Sequence, residues 1–512
     1  MSFMESLKET LNEDMNVSVT ENGAVGYRTS GKELLDLNFS VTSLRNMTED
    51  QVRHRFEKAF YENKLLAIKW MFFARDARGG LGERRLFRIG LNFLQRSQPK
   101  FAKAVISLVP EYGRWDDLWD LLETNLKDDV VTMVQKQLTF DIDNMLNKKP
   151  ISLLGKWLPS ENASSKKTKR LAKIMRTSLG LTQKQYRQIL SKLRKYLRVV
   201  EIYMSSKEWN AIEYSQVPSR ANLIYNAAFL RNDEERRREY LGKLEKGETK
   251  INSSVLFPHD IVHKYSEGNG WYSRVKSTDD IALEQMWKAL PDYVKDAGNT
   301  ICVADGSGSM TVKVGGTQIS ALEVANALAI YFAERSSGQF KDNYITFSER
   351  PQLVDLSKGK SLREKIAIAL THSEVANTNI EAVFNLILQT AINKKMTQEE
   401  LPQNILIISD MEMDAAQGYR RGITQRLFKV IENKFSEYGY KLPRLIFWNV
   451  NGRTNTIPVK ENDLGVALVS GFSPSIVKMV LSNKTDPFEC LLEQLDSPRY
   501  DAVENVLKEI IE

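Results

Sequence analysis

Residues 300–310 read TICVADGSGSM, and this stretch decides the fold class. An uninterrupted apolar run, TICVA, passes directly into an aspartate and a loop of alternating glycine and serine. Four later apolar runs have the same character, namely YITF (344–347), ILII (405–408), RLIFW (444–448) and VALVS (466–470), and helical patterns lie between runs. Strands that are apolar throughout are buried on both faces of a sheet. The pattern therefore predicts an α/β domain with a doubly wound, mostly parallel sheet.

The first 295 residues follow a different pattern. From about residue 50 onward the apolar side chains recur at helical spacing, as Tyr186, Leu190 and Leu193 do, while Arg187 and Arg194 fall off that stripe. A long succession of amphipathic helices predicts an array of helical repeats that bury their apolar faces against one another. Asn22-Gly23, between short β-prone runs, predicts a hairpin near the N-terminus. We therefore expect a helical-repeat domain over residues 1–295 and an α/β domain over residues 296–512.

Composition excludes several classes of protein. The chain has 512 residues, 42% hydrophobic and 27% charged, which is typical of a folded, core-forming protein. We find no run of about 18 uncharged apolar residues, so we expect no membrane span. The first residues, MSFMESLKETLNEDM, lack the apolar core of a secretory signal. Two cysteines, Cys302 and Cys490, cannot form a disulfide framework, which favours a reducing compartment and a cytoplasmic location.

Polar side chains gather where the predicted parallel strands end. Asp305, Ser307 and Ser309 follow the first strand, Asp410 follows ILII, and a loop between helical segments carries Thr378. Ligands of open α/β sheets bind at the carboxyl ends of the strands. Carboxylate and hydroxyl oxygens suit Mg²⁺ or Mn²⁺. The sequence therefore predicts a site for one divalent cation at this edge, although the same aspartate and serines could instead cap the helix that follows.

This D-x-S-x-S pattern, with the later threonine and aspartate, resembles the metal-ion-dependent adhesion site (MIDAS) of von Willebrand factor A domains. The resemblance implies that the metal ligands, direct or through water, are Asp305, Ser307, Ser309, Thr378 and Asp410. It also implies an open coordination position that a carboxylate or phosphate of a partner could fill.

Several segments of the chain resemble a little-characterised family that pairs a helical region with a von Willebrand A domain. These segments are ENGAVGYRTSGKELLDL (21–37), ARDARGGLGERRLF (74–87), EYGRWDDLWDLL (111–122), VPSRANLIYNAAF (217–229), NVNGRTNTIPV (449–459) and GVALVSGFS (465–473). That family in turn looks related to the Ro ribonucleoproteins, whose TROVE module is a ring of HEAT-like helical repeats. The resemblance implies an RNA-binding role, towards small structured RNAs or single-stranded RNA ends.

Positive charge is concentrated in the helical half. The formal net charge is +7, and residues 151–200 carry 13 basic residues against one acid, Glu161. Such a local excess is a candidate footprint for phosphates, although a solvated helix face has the same composition. The candidate RNA-binding residues are Lys166, Lys167, Lys169, Arg170, Lys173, Arg176, Lys184, Arg187, Arg84 and Arg85. The last two follow a glycine loop, residues 79–82, that could contact a phosphate or could be a plain interhelical turn.

The sequence thus predicts a monomeric, non-enzymatic RNA-binding scaffold with a divalent-metal site in its A-type domain. Two alternatives stay open. The first is an adaptor whose metal site captures a carboxylate of a partner protein. The second is a metal-dependent hydrolase, for which Glu412 and Asp414 are the extra acids near the site.

Overall fold

The computed structural model describes residues 15–267, 274–295, 299–374, 377–414, 427–453, 456–458, 466–473, 476–480 and 486–511, together with residues 4, 7 and 11. The chain forms two compact units. The first, which we call the sheet unit, consists of Met1–Asn63 and Leu256–Ser497, and the second, the helical unit, consists of Lys64–Val255 and Pro498–Glu512.

These units do not coincide with the predicted division at residues 295 and 296. The N-terminal 63 residues and the segment from residue 256 belong with the sheet, and the last helix belongs with the helical unit. Long-range contacts are the physical reason. Within the sheet unit, residues Tyr27 and Ile457 pair through two backbone hydrogen bonds of 2.8 Å. Within the helical unit, Lys69 and Glu504 form an ion pair of 2.7 Å.

The sheet unit contains ten strands in the described part of the chain. They are β1 (Val17–Val19), β2 (Val25–Tyr27), β3 (Ser266–Glu267), β4 (Arg274–Val275), β5 (Thr300–Asp305), β6 (Asn343–Phe347), β7 (Gln352–Asp355), β8 (Asn404–Ser409), β9 (Arg444–Asn449) and β10 (Val466–Ser470). Its helices are α1 (Glu33–Phe39), α2 (Glu49–Glu62), α14 (Pro258–Tyr265), α15 (Ile281–Lys288), α16 (Ala321–Arg335), α17 (Leu362–Thr371), α18 (Ile380–Lys394), α19 (Leu427–Glu437), α20 (Val477–Val480) and α21 (Pro487–Leu495).

Six strands form the main sheet in the order β10-β9-β8-β5-β6-β7. Neighbouring strands are parallel except for β6 and β7, which are antiparallel. All five predicted strands are present, and β5 is buried along its whole length because the sheet is covered on both faces. The predicted fold class, a helical region followed by a mostly parallel α/β sheet, is confirmed. The edge strand β7 was not predicted, since its sequence QLVD is short and only partly buried.

Local sequence explains where α16, the helix that comes after β5, begins. Ser320 accepts a hydrogen bond from the backbone N–H of Glu323, and Glu323 accepts one from the backbone N–H of Ser320. This reciprocal pair is a capping box, and it satisfies two N–H groups that an open helix end would leave without partners. The predicted hairpin is present as β1 and β2, with Gly23 at φ 91° in the turn between them.

The helical unit consists of helices joined by short connections. They are α3 (Lys64–Arg75), α4 (Arg84–Ser97), α5 (Pro99–Val105), α6 (Val109–Tyr112), α7 (Lys127–Leu146), α8 (Leu154–Trp157), α9 (Lys166–Ser178), α10 (Gln183–Tyr196), α11 (Val200–Ser206), α12 (Ser219–Asn232), α13 (Glu234–Glu245) and α22 (Asp501–Ile511). Successive helices contact one another, as α3, α4 and α5 do, and α22 packs on α3 and α5. Among the described residues, no helix has both the length and the apolar character needed to cross a bilayer.

Candidate functional site

The two acidic residues predicted to bind metal lie at the carboxyl ends of neighbouring strands. Asp305 is the last residue of β5, and Asp410 follows Ser409, the last residue of β8. These strands are adjacent and parallel, with Ala304 opposite Ile408, so their ends meet at the same edge of the sheet. Both aspartates are completely buried. We call this end of the sheet the acidic edge.

Serine hydroxyls connect the two loops. Asp305 Oδ1 accepts a hydrogen bond from the backbone N–H of Ser307 (2.8 Å), and its Oδ2 accepts one from the hydroxyl of Ser409 (2.6 Å). The hydroxyls of Ser307 and Ser309 lie 3.1 Å apart, and Ser309 also bonds to the carboxylate of Asp410. Four of the five predicted ligands are therefore joined in one network, in which Ser309 reaches Asp410 and Ser409 reaches Asp305.

The fifth predicted ligand, Thr378, lies on the loop that precedes α18. This residue is buried, and its carbonyl accepts a hydrogen bond from the backbone N–H of Asp414 (2.9 Å), four residues beyond Asp410. Its hydroxyl accepts a hydrogen bond from the side-chain amide of Asn22 (3.2 Å). The loop of Thr378 thus contacts the loop that carries Asp410.

Burial raises the pKa values of both aspartates at the acidic edge. Burial and then the charge of Asp305 raise the pKa of Asp410 to about 7, although Ser309 and Arg453 act in the opposite direction. Two buried carboxylates at adjacent strand ends are stable together only with a proton or a cation to balance them.

The donor set at the acidic edge fits a hard divalent cation. Carboxylate and hydroxyl oxygens are the ligands that Mg²⁺ and Mn²⁺ prefer, and water can complete the coordination shell. No group of three or more His, Cys, Asp and Glu side chains with the arrangement of a metal site occurs in the part of the chain that the structure describes. Any cation here would therefore depend on the serine and threonine hydroxyls together with the two aspartates.

Gly306 is needed at the acidic edge for space rather than for its backbone angles. Gly306 and Gly308 are not among the glycines with positive φ. A Cβ on Gly306 would lie 3.0 Å from Thr346 Oγ1 and 3.4 Å from the carbonyl oxygen of Phe347. The loop after β5 therefore passes close against the end of β6, which holds Asp305 and Ser307 in position.

Three residues at the acidic edge were missed by sequence reasoning, namely Glu21, Asn22 and Arg453. The first two form the tip of the hairpin, and Arg453 follows β9. Arg453 Nη2 lies 2.8 Å from Glu21 Oε2 and 3.4 Å from Asp410 Oδ2. Asn22-Gly23 was a signal for a turn only, and nothing in the local sequence connects this turn with residues more than 350 positions away.

The ten candidate RNA-binding residues lie in the helical unit but do not form one uniform basic surface. Seven of them are exposed on α9 and α10. Five of these seven have no ion-pair partner among the described residues, namely Lys166, Lys169, Lys173, Lys184 and Arg187. Three others on α9 form ion pairs: Lys167 with Asp120 (2.5 Å), Arg170 with Glu123 (2.7 Å) and Arg176 with Glu161 (2.8 Å). We call the five exposed cations without an ion-pair partner the basic face.

Arg84 belongs to an internal ion network. The carboxylate of Asp117 is fully buried and accepts hydrogen bonds from Arg75 (2.8 Å), Arg84 (2.7 Å) and Arg88 (3.0 Å). Arg85, its neighbour, is partly buried and also has interaction partners. Arg84 therefore contributes to the packing of the helical unit. Its ion pair with Asp117 explains its position, and no contact with a phosphate is needed to explain it.

The glycine loop before Arg84 is a tightly packed interhelical turn. The N–H of Gly80 donates to the carbonyl of Asp76 (3.1 Å), that of Leu81 to Phe73 (3.1 Å) and that of Gly82 to Asp76 (3.2 Å). A Cβ on Gly80 would lie 1.9 Å from the carbonyl oxygen of Phe73. These N–H groups are therefore engaged within the turn and not directed to a phosphate.

A family model described as a domain of unknown function, DUF2828, matches residues 20–147 and 162–300, which together are more than half of the chain. The chain belongs to the DUF2828 family. A second model of a domain of unknown function, DUF7788, matches residues 299–504 of this DUF2828 protein, the part that contains the main sheet.

The DUF2828 protein is 31% identical over 521 aligned residues to an uncharacterized protein of Acanthamoeba polyphaga mimivirus, with 94% of this chain and 87% of the relative covered. Among solved structures, it is similar to the crystal structure of the Deinococcus radiodurans RO (RSR) protein. The TM-score is 0.44 at 14% identity, over 85% of this chain and 93% of the other. That TM-score is too low to support an inference, so the Ro kinship and the MIDAS assignment stay predictions.

Proposed function

We propose that this protein is a non-enzymatic RNA-binding scaffold whose sheet unit holds one divalent cation, Mg²⁺ or Mn²⁺. The observation that carries the RNA-binding part is the basic face on α9 and α10. Lys166, Lys169 and Lys173 are spaced by three and four residues, which places them on one side of α9. Lys184 and Arg187 have the same relation on α10. Exposed cations with this spacing can follow a phosphate backbone and release its counterions.

The first experiment compares RNA affinity over a range of salt concentrations. The triple variant Lys166→Gln, Lys169→Gln, Lys173→Gln should bind a labelled RNA stem-loop and a single-stranded RNA more weakly, and the log–log salt slope should fall by roughly 0.7–0.9 per lost phosphate contact. The matched control neutralises three exposed lysines of the sheet unit, Lys358, Lys360 and Lys394. Equal salt slopes for the wild type and the α9 variant would show that the basic face does not bind RNA.

The cation part of the proposal is supported by the acidic edge. Asp305 and Asp410 are buried at adjacent strand ends. The hydroxyls of Ser307 and Ser309 lie on the loop after β5, and Thr378 lies on a separate loop that contacts the loop after β8. These five residues would hold the cation, which would balance the two buried charges and leave a position for an outside oxygen ligand. Titration with Mn²⁺, followed by electron paramagnetic resonance, measures this binding directly, and Asp305→Asn should abolish it.

A second candidate function is capture of an acidic partner protein at the acidic edge. The observation that favours it is Arg453, whose guanidinium lies at this edge beside Asp410. A cation and an arginine together would suit a carboxylate ligand. If this function is the right one, Asp305→Asn abolishes partner capture and leaves RNA affinity unchanged.

The proposal of a non-enzymatic role is supported by the position of Glu412. A hydrolase needs a general base within reach of a metal-bound water. Both carboxylate oxygens of Glu412 accept backbone hydrogen bonds, one from Glu21 (3.0 Å) and one from Arg453 (2.8 Å), and the side chain is buried. This carboxylate therefore holds two chain segments together. Incubation of a structured RNA with the protein and Mg²⁺ or Mn²⁺ should leave the RNA intact.

A further inference from the structure

The tip of the N-terminal hairpin is attached to the acidic edge by a dense set of hydrogen bonds. The hydroxyl of Thr20 donates to the carbonyl of Met413 (2.6 Å), and the backbone N–H of Glu21 donates to the carboxylate of Glu412 (3.0 Å). The side-chain amide of Asn22 donates to the carbonyl of Glu412 (2.6 Å) and to the hydroxyl of Thr378. All of these residues belong to the sheet unit.

Arg453 stands between the hairpin tip and the predicted cation site. Its guanidinium contacts two carboxylates, Glu21 at 2.8 Å and Asp410 at 3.4 Å. The shorter contact is to Glu21, which is half exposed, and the longer one is to Asp410, which is completely buried. Its Nε is buried and has no hydrogen-bond partner among the described residues. The guanidinium is thus incompletely satisfied, and Glu21 supplies its closer charge partner.

A divalent cation and this guanidinium would compete for the same carboxylate. A cation bound by Asp305 and Asp410 would lie within a few ångströms of the positive charge of Arg453, and like charges at that distance repel strongly in a buried site. Glu21 has the opposite effect, because it draws the guanidinium towards the hairpin and adds a negative charge near the cation. The occupancy of the site should therefore depend on both residues.

We infer that Arg453 and Glu21 form a charge pair that sets the affinity of the acidic edge for a divalent cation. Arg453 opposes cation binding through its charge, and Glu21 holds Arg453 away from Asp410. Because Glu21 reaches the edge only when the hairpin is attached, cation binding and hairpin attachment favour each other, and this linkage is reciprocal. The inference rests on the proposed cation site and adds two residues that are not ligands to it.

The test is a double-mutant cycle on the affinity of the full-length chain for Mn²⁺, measured by electron paramagnetic resonance and by calorimetry. Arg453→Gln should bind Mn²⁺ at least about tenfold more tightly than the wild type, because a repelling charge is removed. Glu21→Gln should bind it about threefold or more weakly, and this loss should shrink when Arg453 is also replaced, because Glu21 acts through Arg453. Arg453→Lys, which keeps the charge, should stay close to the wild-type affinity.

The matched control is Glu399→Gln, which removes the same charge from an exposed glutamate. Glu399 precedes β8 and so lies at the end of the strand opposite to Asp410. Its Mn²⁺ affinity should equal that of the wild type. The melting temperature of each variant, measured with a chelator present, shows whether a change in affinity reflects a loss of structure.

The possible results separate the inference from the proposed function. If Mn²⁺ binds in an Asp305-dependent way but Arg453→Gln leaves its affinity unchanged or lower, the inference is overturned and the cation site stands. An equal effect of Glu21→Gln with and without Arg453 also overturns it, because Glu21 would then act independently. If neither the wild type nor Arg453→Gln binds Mn²⁺ in an Asp305-dependent way, the cation site itself is wrong and the inference falls with it.

Discussion

The side-chain amide of Asn22 donates a hydrogen bond to the hydroxyl of Thr378, 3.2 Å away in space and 356 positions away along the chain. The same amide donates to the carbonyl of Glu412 at 2.6 Å. A residue of the hairpin turn therefore connects two loops of the acidic edge, and its contribution to stability and to cation binding can be measured.

Replacement of Asn22 by alanine should destabilise the sheet unit. The variant removes the donor to the carbonyl of Glu412, a buried residue, and a buried polar group left without a partner costs about 1–3 kcal/mol. Urea unfolding followed by circular dichroism measures the loss. Asn393→Ala, at an exposed position of α18, is the control and should change the free energy of unfolding by less than about 0.5 kcal/mol. Equal stabilities for the two variants would show that the hairpin contacts contribute nothing.

Divalent cations should raise the melting temperature of the wild type. A ligand that binds the folded state at about 100 times its dissociation constant stabilises it by roughly 2.7 kcal/mol. Mg²⁺ or Mn²⁺ should therefore shift the melting curve upward, and a chelator should reverse the shift. Asp305→Asn should remove the response, while Asp355→Asn, at the far end of the sheet on β7, should keep it. A shift that survives in Asp305→Asn would place the cation elsewhere.

Alanine at Gly80 should be poorly tolerated, and alanine at Gly242 should be accepted. The added Cβ at Gly80 would lie 1.9 Å from the carbonyl oxygen of Phe73, so the turn between α3 and α4 would have to move, at a cost of more than about 3 kcal/mol. No heavy atom lies within 4 Å of the Cβ position at Gly242, inside α13. Gly242→Ala should therefore stabilise the helix by roughly 0.5–1 kcal/mol. Urea unfolding distinguishes the two outcomes.

The substitution Asp117→Asn should destabilise the helical unit strongly. Asp117 is buried among Arg75, Arg84 and Arg88, and the loss of one buried partner leaves charges without compensation, at about 3–5 kcal/mol. The control Asp120→Asn removes a half-exposed ion pair with Lys167, which contributes at most about 1 kcal/mol. A result in which the two variants lose equal stability would mean that the network around Asp117 is not buried in solution.

The same carboxylate gives a dependence of stability on pH. Burial by itself would raise the pKa of Asp117, but Arg75 and Arg84 outweigh it and hold this pKa below its usual value. A carboxylate whose pKa is lowered in the folded state stabilises the protein. This stabilisation is complete above the unfolded-state pKa of about 3.9, and it is lost as the pH falls towards the lower pKa of the folded state. The wild type should therefore lose more stability than Asp117→Asn between about pH 5 and pH 2. Parallel losses in urea unfolding over this range would contradict the assignment.

The apolar runs of the sequence were sufficient to predict five of the six strands of the main sheet. Parallel strands buried on both faces must be apolar at every position, so residues such as Ile405 and Leu445 mark their strands directly. Because such strands run in one direction, the residues that follow them meet at one edge. The location of Asp305 and Asp410 at one edge followed from that rule, and the adjacency of β5 and β8 in the sheet brings them close together. The capping box of Ser320 and Glu323 is also local, because it joins residues three positions apart.

Tertiary structure alone decided which distant groups complete each site. Glu21 and Arg453 meet only because the hairpin attaches to the loops after β8 and β9. Lys167 is not part of the basic face because it pairs with Asp120, and the composition of the sequence does not show this pairing. It also decided that residues 1–63 join the sheet unit and that α22 joins the helical unit. Hydrophobic periodicity and turn signals depend on residues only a few positions apart, so they can be recognised in the sequence alone. The choice of a charge or hydrogen-bond partner depends on which surfaces come together, and this is determined by the folding of the whole chain.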